Sequence, residues 1–181
     1  MDSSDAIQLV ILLVLLMLSA FFSSAETALT TVNKIRIRTL AEEGDKRAIR
    51  VLKITEDSGK MLSAVLIGNN IVNLSASSMA TLLATKLWGN AGAGLATGIL
   101  TLLILVFGEI SPKTLATIFA ENLSLAYSGI IYLLMKLLTP VIFIVNKLAL
   151  GFLLLLRIDP NSRNNTMTET ELRTIVDVSH E

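Results

Sequence analysis

The sequence LLILVFGEISPK occupies residues 102–113 and decides how this part of the chain must fold. Its first six residues are apolar, and Glu109 is the only acidic residue between Asp57 and Glu121. A carboxylate at membrane depth is costly and rarely lacks a partner. Pro112 has no backbone N–H and breaks the helix beside the carboxylate. A single charge at a broken helix inside an apolar run indicates an ion-binding site.

The composition excludes several classes of protein. Of the 181 residues 52% are hydrophobic, and the mean hydropathy of +0.68 is too high for an ordinary soluble domain. Fifteen basic and fifteen acidic residues give no net charge, so no nucleic-acid partner is indicated. The absence of cysteine excludes disulfides and thiolate metal sites, and the single histidine, His180, disfavours zinc and haem. No nucleophile–base pair or phosphate-binding loop is visible, so we do not expect an enzyme.

Four apolar stretches lie at roughly 6–32, 61–86, 91–112 and 123–156. About 20 residues of helix cross the hydrocarbon core of a bilayer, so each of the first three fits one crossing. The first stretch lacks the basic flank of a signal peptide, and we interpret it as a retained transmembrane helix. We therefore predict an all-α membrane protein.

The segment 33–60 indicates the topology, because it contains eight of the fifteen basic residues. The positive-inside rule makes this segment cytoplasmic, which places the N-terminus outside. Its apolar residues interleave with the charges and predict juxtamembrane amphipathic helices at the membrane surface. A solvated helical hairpin without membrane contact is the alternative.

The stretch 123–156 would span about 50 Å as one helix, which is too long for a simple crossing. Pro140 interrupts it, and Arg157 and Arg163 suggest a cytoplasmic C-terminal tail. We predict a kinked helical pair that is re-entrant or lies along the inner interface. A single long tilted crossing with an outside C-terminus is the alternative. Residues 161–181 are interpreted as a linker and the start of a further helix.

Two clusters of polar residues interrupt the apolar stretches. Ser19, Ser23 and Glu26 follow i, i+4, i+7 spacing and share one helix face, although small residues can also serve only close helix packing. Three asparagines lie between residues 69 and 73. Asn70, Asn73 and Ser77 share a face, as do Asn69 and Asn73; interhelical hydrogen bonding is the alternative role.

A third cluster surrounds Glu109. Pro112 cannot donate to the carbonyl of Gly108, which leaves that oxygen accessible in a cavity or site. Alternatively, Glu109 reaches toward the cytoplasm or pairs with Lys113. Hydroxyl, amide, carbonyl and carboxylate oxygens together form a hard-cation donor set, suited to Mg²⁺, Ca²⁺ or Na⁺.

Three motifs occur in order and carry a family resemblance: SAFFSSAETALT at 19–30, GNNIVN at 68–73 and GEISPK at 108–113. Together they resemble the transmembrane domain of the CorC/CNNM (cyclin M) family over roughly residues 6–160. The resemblance implies a domain at 1–160 in a multi-pass protein of the plasma (inner) membrane. It also implies a homodimer with three transmembrane helices per subunit and a belt-like helical element. Residues 161–181 would then begin a truncated helical bundle, and ATP would bind only through a CBS-pair module that follows it.

The resemblance also implies Mg²⁺ transport by alternating access, in the direction of efflux and driven by Na⁺. The metal-binding candidates carried over by motif are Ser19, Ser23, Asn70, Asn73, Gly108 and Glu109. Glu26 is placed near the inner mouth instead of on the ion. A Mg²⁺ sensor without transport and a membrane anchor for dimerisation are the competing functions. Gly94 and Gly98 have the spacing for close helix contact, within or between subunits.

Overall fold

The computed structural model describes residues 3–156, and over that range the chain is helical apart from short turns and contains no strand. This confirms the predicted all-α class. Seven α-helices and one π-helical segment follow one another along the chain. They are α1 (Ser3–Thr31), α2 (Lys34–Glu42), α3 (Lys46–Glu56), α4 (Ser58–Leu103), the π segment (Ile104–Ile110), α5 (Ser111–Ile118), α6 (Ala120–Leu137) and α7 (Thr139–Leu155).

Helix α1 lies at the centre of the unit formed by residues up to 138, in contact with α4, the π segment, α5 and α6. Its second half buries small side chains: Ala25 and Ala28 are fully inaccessible, and Ser19 and Ser23 are almost so. Small residues allow neighbouring helices to approach closely. Inside a membrane, where the hydrophobic effect does not drive helices together, such close contact stabilises their association. The second half of α1 therefore has helices close around it, and its serine side chains face protein.

The segment 33–60 forms two short helices separated by a tight turn. The Asn33 side chain caps α2 by accepting from the N–H groups of Ile35 and Arg36, and Asp45 caps α3 by accepting from Arg47 N–H. Gly44, at φ +94°, has the left-handed conformation that glycine adopts most readily. The caps satisfy N–H groups that each helix start leaves without partners.

The apolar residues of this segment are divided between protein and surroundings. Ile37, Val51 and Ile54 are fully buried, and α3 packs against both α2 and α6. Ile35 remains 80% exposed beside them. Ile49 is exposed as well, so the predicted amphipathic pattern is only partly used for packing inside the protein, and two isoleucines are left for another environment.

Helix α4 is broken at Gly89, whose φ of 72° and ψ of −168° belong to a region that is essentially restricted to glycine. The break separates a first arm, residues 58–88, from a second arm, residues 90–103. The first arm contains the predicted crossing 61–86, and the second arm begins the predicted crossing 91–112. The apolar stretches therefore correspond to separate helical rods joined by a single-residue turn.

By length and composition, Asp5–Thr31 and Gly92–Ile118 could each cross a membrane. Ala120–Leu137 and Thr139–Leu155 meet the same test only when they are taken together. The first arm of α4 does not meet the test, because its asparagines and serines lower its mean hydropathy. Two or three candidate spans are thus identified among the described residues.

The stretch 123–156 falls in two helices, α6 and α7, with Leu138 between them. Residues from Thr139 onward form a separate unit, in which the Lys147 ammonium lies 4.7 Å from the centre of the Phe143 ring. The predicted linker and helix start at 161–181 lie outside the described residues.

Candidate functional site

Two buried serines of α1 differ from the other buried serines. Ser24, Ser124 and Ser128 each donate to a carbonyl three residues earlier, at 2.9–3.0 Å. Ser19 and Ser23 are 1% and 0% exposed, and their hydroxyl oxygens have no partner within the described part of the chain. A buried polar group without a hydrogen bond costs about 1–3 kcal/mol. Such groups call for a specific explanation, and a bound water or ion is one of them.

The first arm of α4 supplies a second pair of such oxygens. The Oδ1 atoms of Asn69 and Asn73 are buried and unpaired in the region the structure covers. Four residues separate the two asparagines, so they share one face of the helix. Asn70, which the motif comparison selected, is exposed in the single protomer. The register of the helix therefore favours Asn69 with Asn73, the second of the two pairings visible in the sequence.

Glycines hold the first arm of α4 and the π segment against α1. A Cβ on Gly68 would lie 2.6 Å from two atoms of the Phe22 ring, and a Cβ on Gly108 would lie 2.8 Å from Ser19 Oγ. Real Cβ atoms do not approach neighbours this closely, so a larger residue at either position would force the Phe22 or Ser19 side chain to move. Gly68 thus brings the asparagine face beside α1, and Gly108 brings the π segment onto Ser19.

The junction between the π segment and α5 leaves backbone carbonyls without donors. Ser111 N–H donates to Val106 O, five residues back. Helix α5 has Ile110 as its N-cap, whose carbonyl accepts the first bond of the new ladder, from Thr114 N–H. The carbonyls of residues 107–109 lie between Val106 and Ile110. The one backbone donor left for these three carbonyls is the N–H of residue 113, because Pro112 has no N–H.

At least two carbonyls among Phe107, Gly108 and Glu109 are therefore free of backbone donors. One donor is lost to the proline, and one is lost because a π turn contains an extra residue before the α register resumes. The sequence predicted a single free carbonyl, at Gly108, because it assumed an α-helix up to Pro112. The π segment enlarges the set of backbone oxygens at this position.

Glu109 stands at the same junction and is half-buried, with no hydrogen bond or ion pair among residues 3–156. Lys113, its suggested partner, instead lies 3.6 Å from Glu26 Oε2. Both members of that pair are more than 40% exposed, so the pair is weak and screened by solvent. The pairing leaves the Glu109 carboxylate available to a ligand.

The candidate ligands therefore come from three neighbouring segments: serine hydroxyls from α1, amide oxygens from α4, and carbonyls with one carboxylate from the π–α5 junction. Within residues 3–156 no three His, Cys, Asp or Glu side chains cluster as they would at a transition-metal centre. Hard cations such as Mg²⁺, Ca²⁺ and Na⁺ favour neutral and anionic oxygen ligands. Of the predicted residues, Ser19 and Gly108 lie close together, and Ser23 and Asn73 carry oxygens without hydrogen-bond partners in the described part of the chain. Asn69, which was not among the predicted ligands, carries a further oxygen of this kind.

Comparison with known proteins agrees with the three sequence motifs. A UPF0053 protein of Haemophilus influenzae is 40% identical over 167 residues, which cover 92% of this chain and 40% of the relative. The UPF0053 inner membrane protein YfjD of Escherichia coli is 36% identical over 160 residues, covering 88% of this chain and 37% of its own length. A polyamine export protein of Haemophilus influenzae is 28% identical over 180 residues, covering 92% and 41%.

The chain thus spans about two fifths of the length of these curated relatives. The family model for the cyclin M transmembrane N-terminal domain matches residues 10–181, which include all three motifs and every oxygen described above. The chain therefore belongs to the family of cyclin M transmembrane N-terminal domains.

Proposed function

We propose that the chain is the membrane domain of a Mg²⁺ transporter that binds a dehydrated ion between α1, α4 and the π–α5 junction. The observation that carries this proposal is the group of four buried oxygens without partners, on Ser19, Ser23, Asn69 and Asn73. An oxygen that replaces a water ligand needs a free lone pair, and these four oxygens take part in no hydrogen bond within the described residues. Mg²⁺ prefers six oxygens at about 2.1 Å.

Transport, as opposed to binding alone, is supported by the family and by the shape of the site. The helix from Gly92 to Ile118 is continuous and not broken as the proline predicted, but its π turn frees backbone oxygens of the kind that broken helices expose in secondary transporters, where one side of the site opens at a time. We propose the same alternating access here, with efflux coupled to inward Na⁺ flow. The N-terminus lies outside and the C-terminus in the cytoplasm, as the basic segment 33–60 indicates.

A homodimer belongs to the same proposal. A Cβ on Gly94 or Gly98 would meet nothing within 4 Å, so this small-residue face of α4 makes no close contact at these positions inside the described protomer. Cysteines placed along the face should give a cross-linked dimer. Absence of any inter-subunit product would remove this face as the dimer interface.

The decisive experiment measures Mg²⁺ flux in proteoliposomes that contain a Mg²⁺-sensitive dye. Glu109→Gln keeps the shape of the side chain and removes the charge, and should abolish flux. Glu42→Gln is the matched control, because it also removes one carboxylate, from an exposed position on α2 outside the candidate site. Equal flux through Glu109→Gln and the unaltered protein would refute the assignment of Glu109 to the ion site.

Two other functions make different predictions in the same system. A Mg²⁺ sensor would bind the ion by calorimetry and show no flux, and a membrane anchor would show neither. Polyamine export is a second transport candidate, because one relative carries that name and ammonium groups also bind oxygen acceptors. Efflux of a loaded polyamine that Mg²⁺ does not inhibit would favour this candidate over Mg²⁺.

A further inference from the structure

A groove of about 500 Å³ runs along α1, α5 and α6 on the side away from the unpaired serines. Its walls are mostly apolar and include Met17, Phe21 and Leu115. Leu115 and Met17 are more than half exposed in the protomer. Within a bilayer such a groove faces hydrocarbon, and lipid chains are the abundant apolar molecules at that position.

A smaller, polar cleft of about 240 Å³ adjoins the groove and is lined by residues of α2, α5 and α6. Phe119 and Asn122 line both spaces, so the two lie side by side. The cleft contains one cation and one anion, Arg36 and Glu121, whose Nε and Oε2 atoms are 2.6 Å apart. An apolar channel that ends in a charged cleft matches the chemistry of a single phospholipid.

We propose that this composite groove binds one phosphatidylethanolamine molecule from the leaflet that meets α2. One acyl chain lies between α1 and α5, and the headgroup lies at the ion pair. Arg36 is 69% exposed at its side chain and uses only part of its five-donor fork on Glu121, so it can also donate to a phosphate. The second oxygen of Glu121 can accept from the ethanolamine ammonium.

The charges of the cleft select the headgroup. Arg36 and Glu121 sum to zero, so a headgroup that carries both a phosphate and an ammonium matches them, whereas phosphatidylglycerol brings an anion alone. Phosphatidylcholine has the same net charge, but its quaternary ammonium has no N–H to donate to Glu121. Ethanolamine is therefore the headgroup that can satisfy both partners.

The bound lipid would touch the helices of the candidate ion site from behind. Ser24 and Pro112 line the groove, and they are the immediate neighbours of Ser23 and of the π–α5 junction. The proposal does not rest on Mg²⁺ transport, so its failure would leave the ion-site assignment intact.

The test is lipid retention measured by native mass spectrometry. The protein is incubated in detergent with equimolar dioleoyl phosphatidylethanolamine, phosphatidylcholine and phosphatidylglycerol. It is then released from the detergent micelle inside the mass spectrometer. We expect one retained ethanolamine lipid per chain, favoured about tenfold over the choline lipid because a charge-assisted hydrogen bond is lost. Equal retention of all three lipids would overturn the proposal.

Two pairs of variants separate the acyl and headgroup contributions. Ala20→Phe fills the groove and should abolish retention, whereas Ala6→Phe adds the same bulk at an exposed position of α1 outside the groove and should not. Glu121→Gln should remove the preference for ethanolamine over choline, because it weakens the acceptor for the ammonium, whereas Glu42→Gln removes a carboxylate from an exposed position outside the cleft. If Ala20→Phe instead changes the oligomeric mass and leaves lipid retention unchanged, a second copy occupies the groove and the proposal is wrong.

The Glu121 pair keeps the test decisive if the groove-filling variant does not fold. A retained preference for ethanolamine over choline in Glu121→Gln, at the level of Glu42→Gln, would by itself contradict the assignment of the ammonium to Glu121.

Discussion

Ser19 Oγ lies only 2.8 Å from the position that a Cβ would occupy on Gly108. This contact joins the middle of α1 to the junction of the π segment and α5, two parts of the chain that are almost ninety residues apart. Both residues belong to the oxygen-rich site, so the packing of the two helices and the geometry of the site depend on the same contact.

Gly108→Ala should therefore destabilise the protein by about 1–3 kcal/mol through overpacking. The measurement is the thermal unfolding midpoint of the purified protein. Gly98→Ala is the matched control, because its Cβ would meet nothing within 4 Å. The double variant Ser19→Gly with Gly108→Ala should recover stability but not Mg²⁺ binding. A Gly108→Ala protein as stable as the Gly98→Ala protein would contradict the close contact.

Ser23→Ala and Ser24→Ala should have opposite effects, although they remove neighbouring hydroxyls. Ser23 has no hydrogen bond to lose, so its removal should leave the ion-free protein as stable as before or more so, and should eliminate stabilisation by added Mg²⁺. Ser24 donates to Phe21 O and to Tyr127 Oη, so its removal should cost about 1 kcal/mol and preserve the Mg²⁺ response.

Thermal melts with and without Mg²⁺ measure both effects on the serine variants. The assignment of Ser23 is wrong if both variants respond to Mg²⁺ as the unaltered protein does.

Asn69→Leu and Asn70→Leu distinguish the two faces of the asparagine cluster. The Oδ1 of Asn69 is buried and unpaired, whereas Asn70 is exposed, so Asn69→Leu should weaken Mg²⁺ binding more strongly. Isothermal titration calorimetry in detergent measures the difference, with Asn73→Leu as the positive reference. A larger loss in Asn70→Leu would return the ligand role to the residue that the motif selected.

The turn between α2 and α3 should lose stability in acid. The hydrogen bond from the Arg47 side chain holds the pKa of Asp45 below its ordinary value of 3.8. A carboxylate whose folded-state pKa is lowered stabilises the fold above the unfolded pKa, and this contribution is lost as the pH falls through the folded-state value. Asp45→Asn keeps a capping oxygen but does not titrate.

The stability difference between the unaltered protein and Asp45→Asn should therefore favour the aspartate at neutral pH and shrink below pH 3.8. Unfolding midpoints of the two proteins over this range provide the measurement. A difference that does not change with pH would show that the capping charge is irrelevant to stability.

The helical class and the oxygen-rich character of the site follow from sequence, because apolar run lengths and polar interruptions are local properties. Sequence does not show which asparagines face α1. Residues 69, 70 and 73 define two possible helix faces, and only packing against α1 selects one of them. Gly68 makes that selection through its contact with Phe22. The extra carbonyls also escape sequence reasoning, since nothing local to residues 104–110 distinguishes a π turn from an α turn.

The π–α5 junction affects what mutagenesis of the candidate site can reveal. Pro112 has no backbone N–H, so it leaves one carbonyl oxygen free to bind a ligand. The proline does this although its own side chain does not contact the ligand. Alanine scanning of residues 107–109 would leave those oxygens in place and report them as unimportant. Pro112→Ala would have the opposite effect. The restored N–H would donate to the free carbonyl, and that oxygen would no longer be available to a ligand.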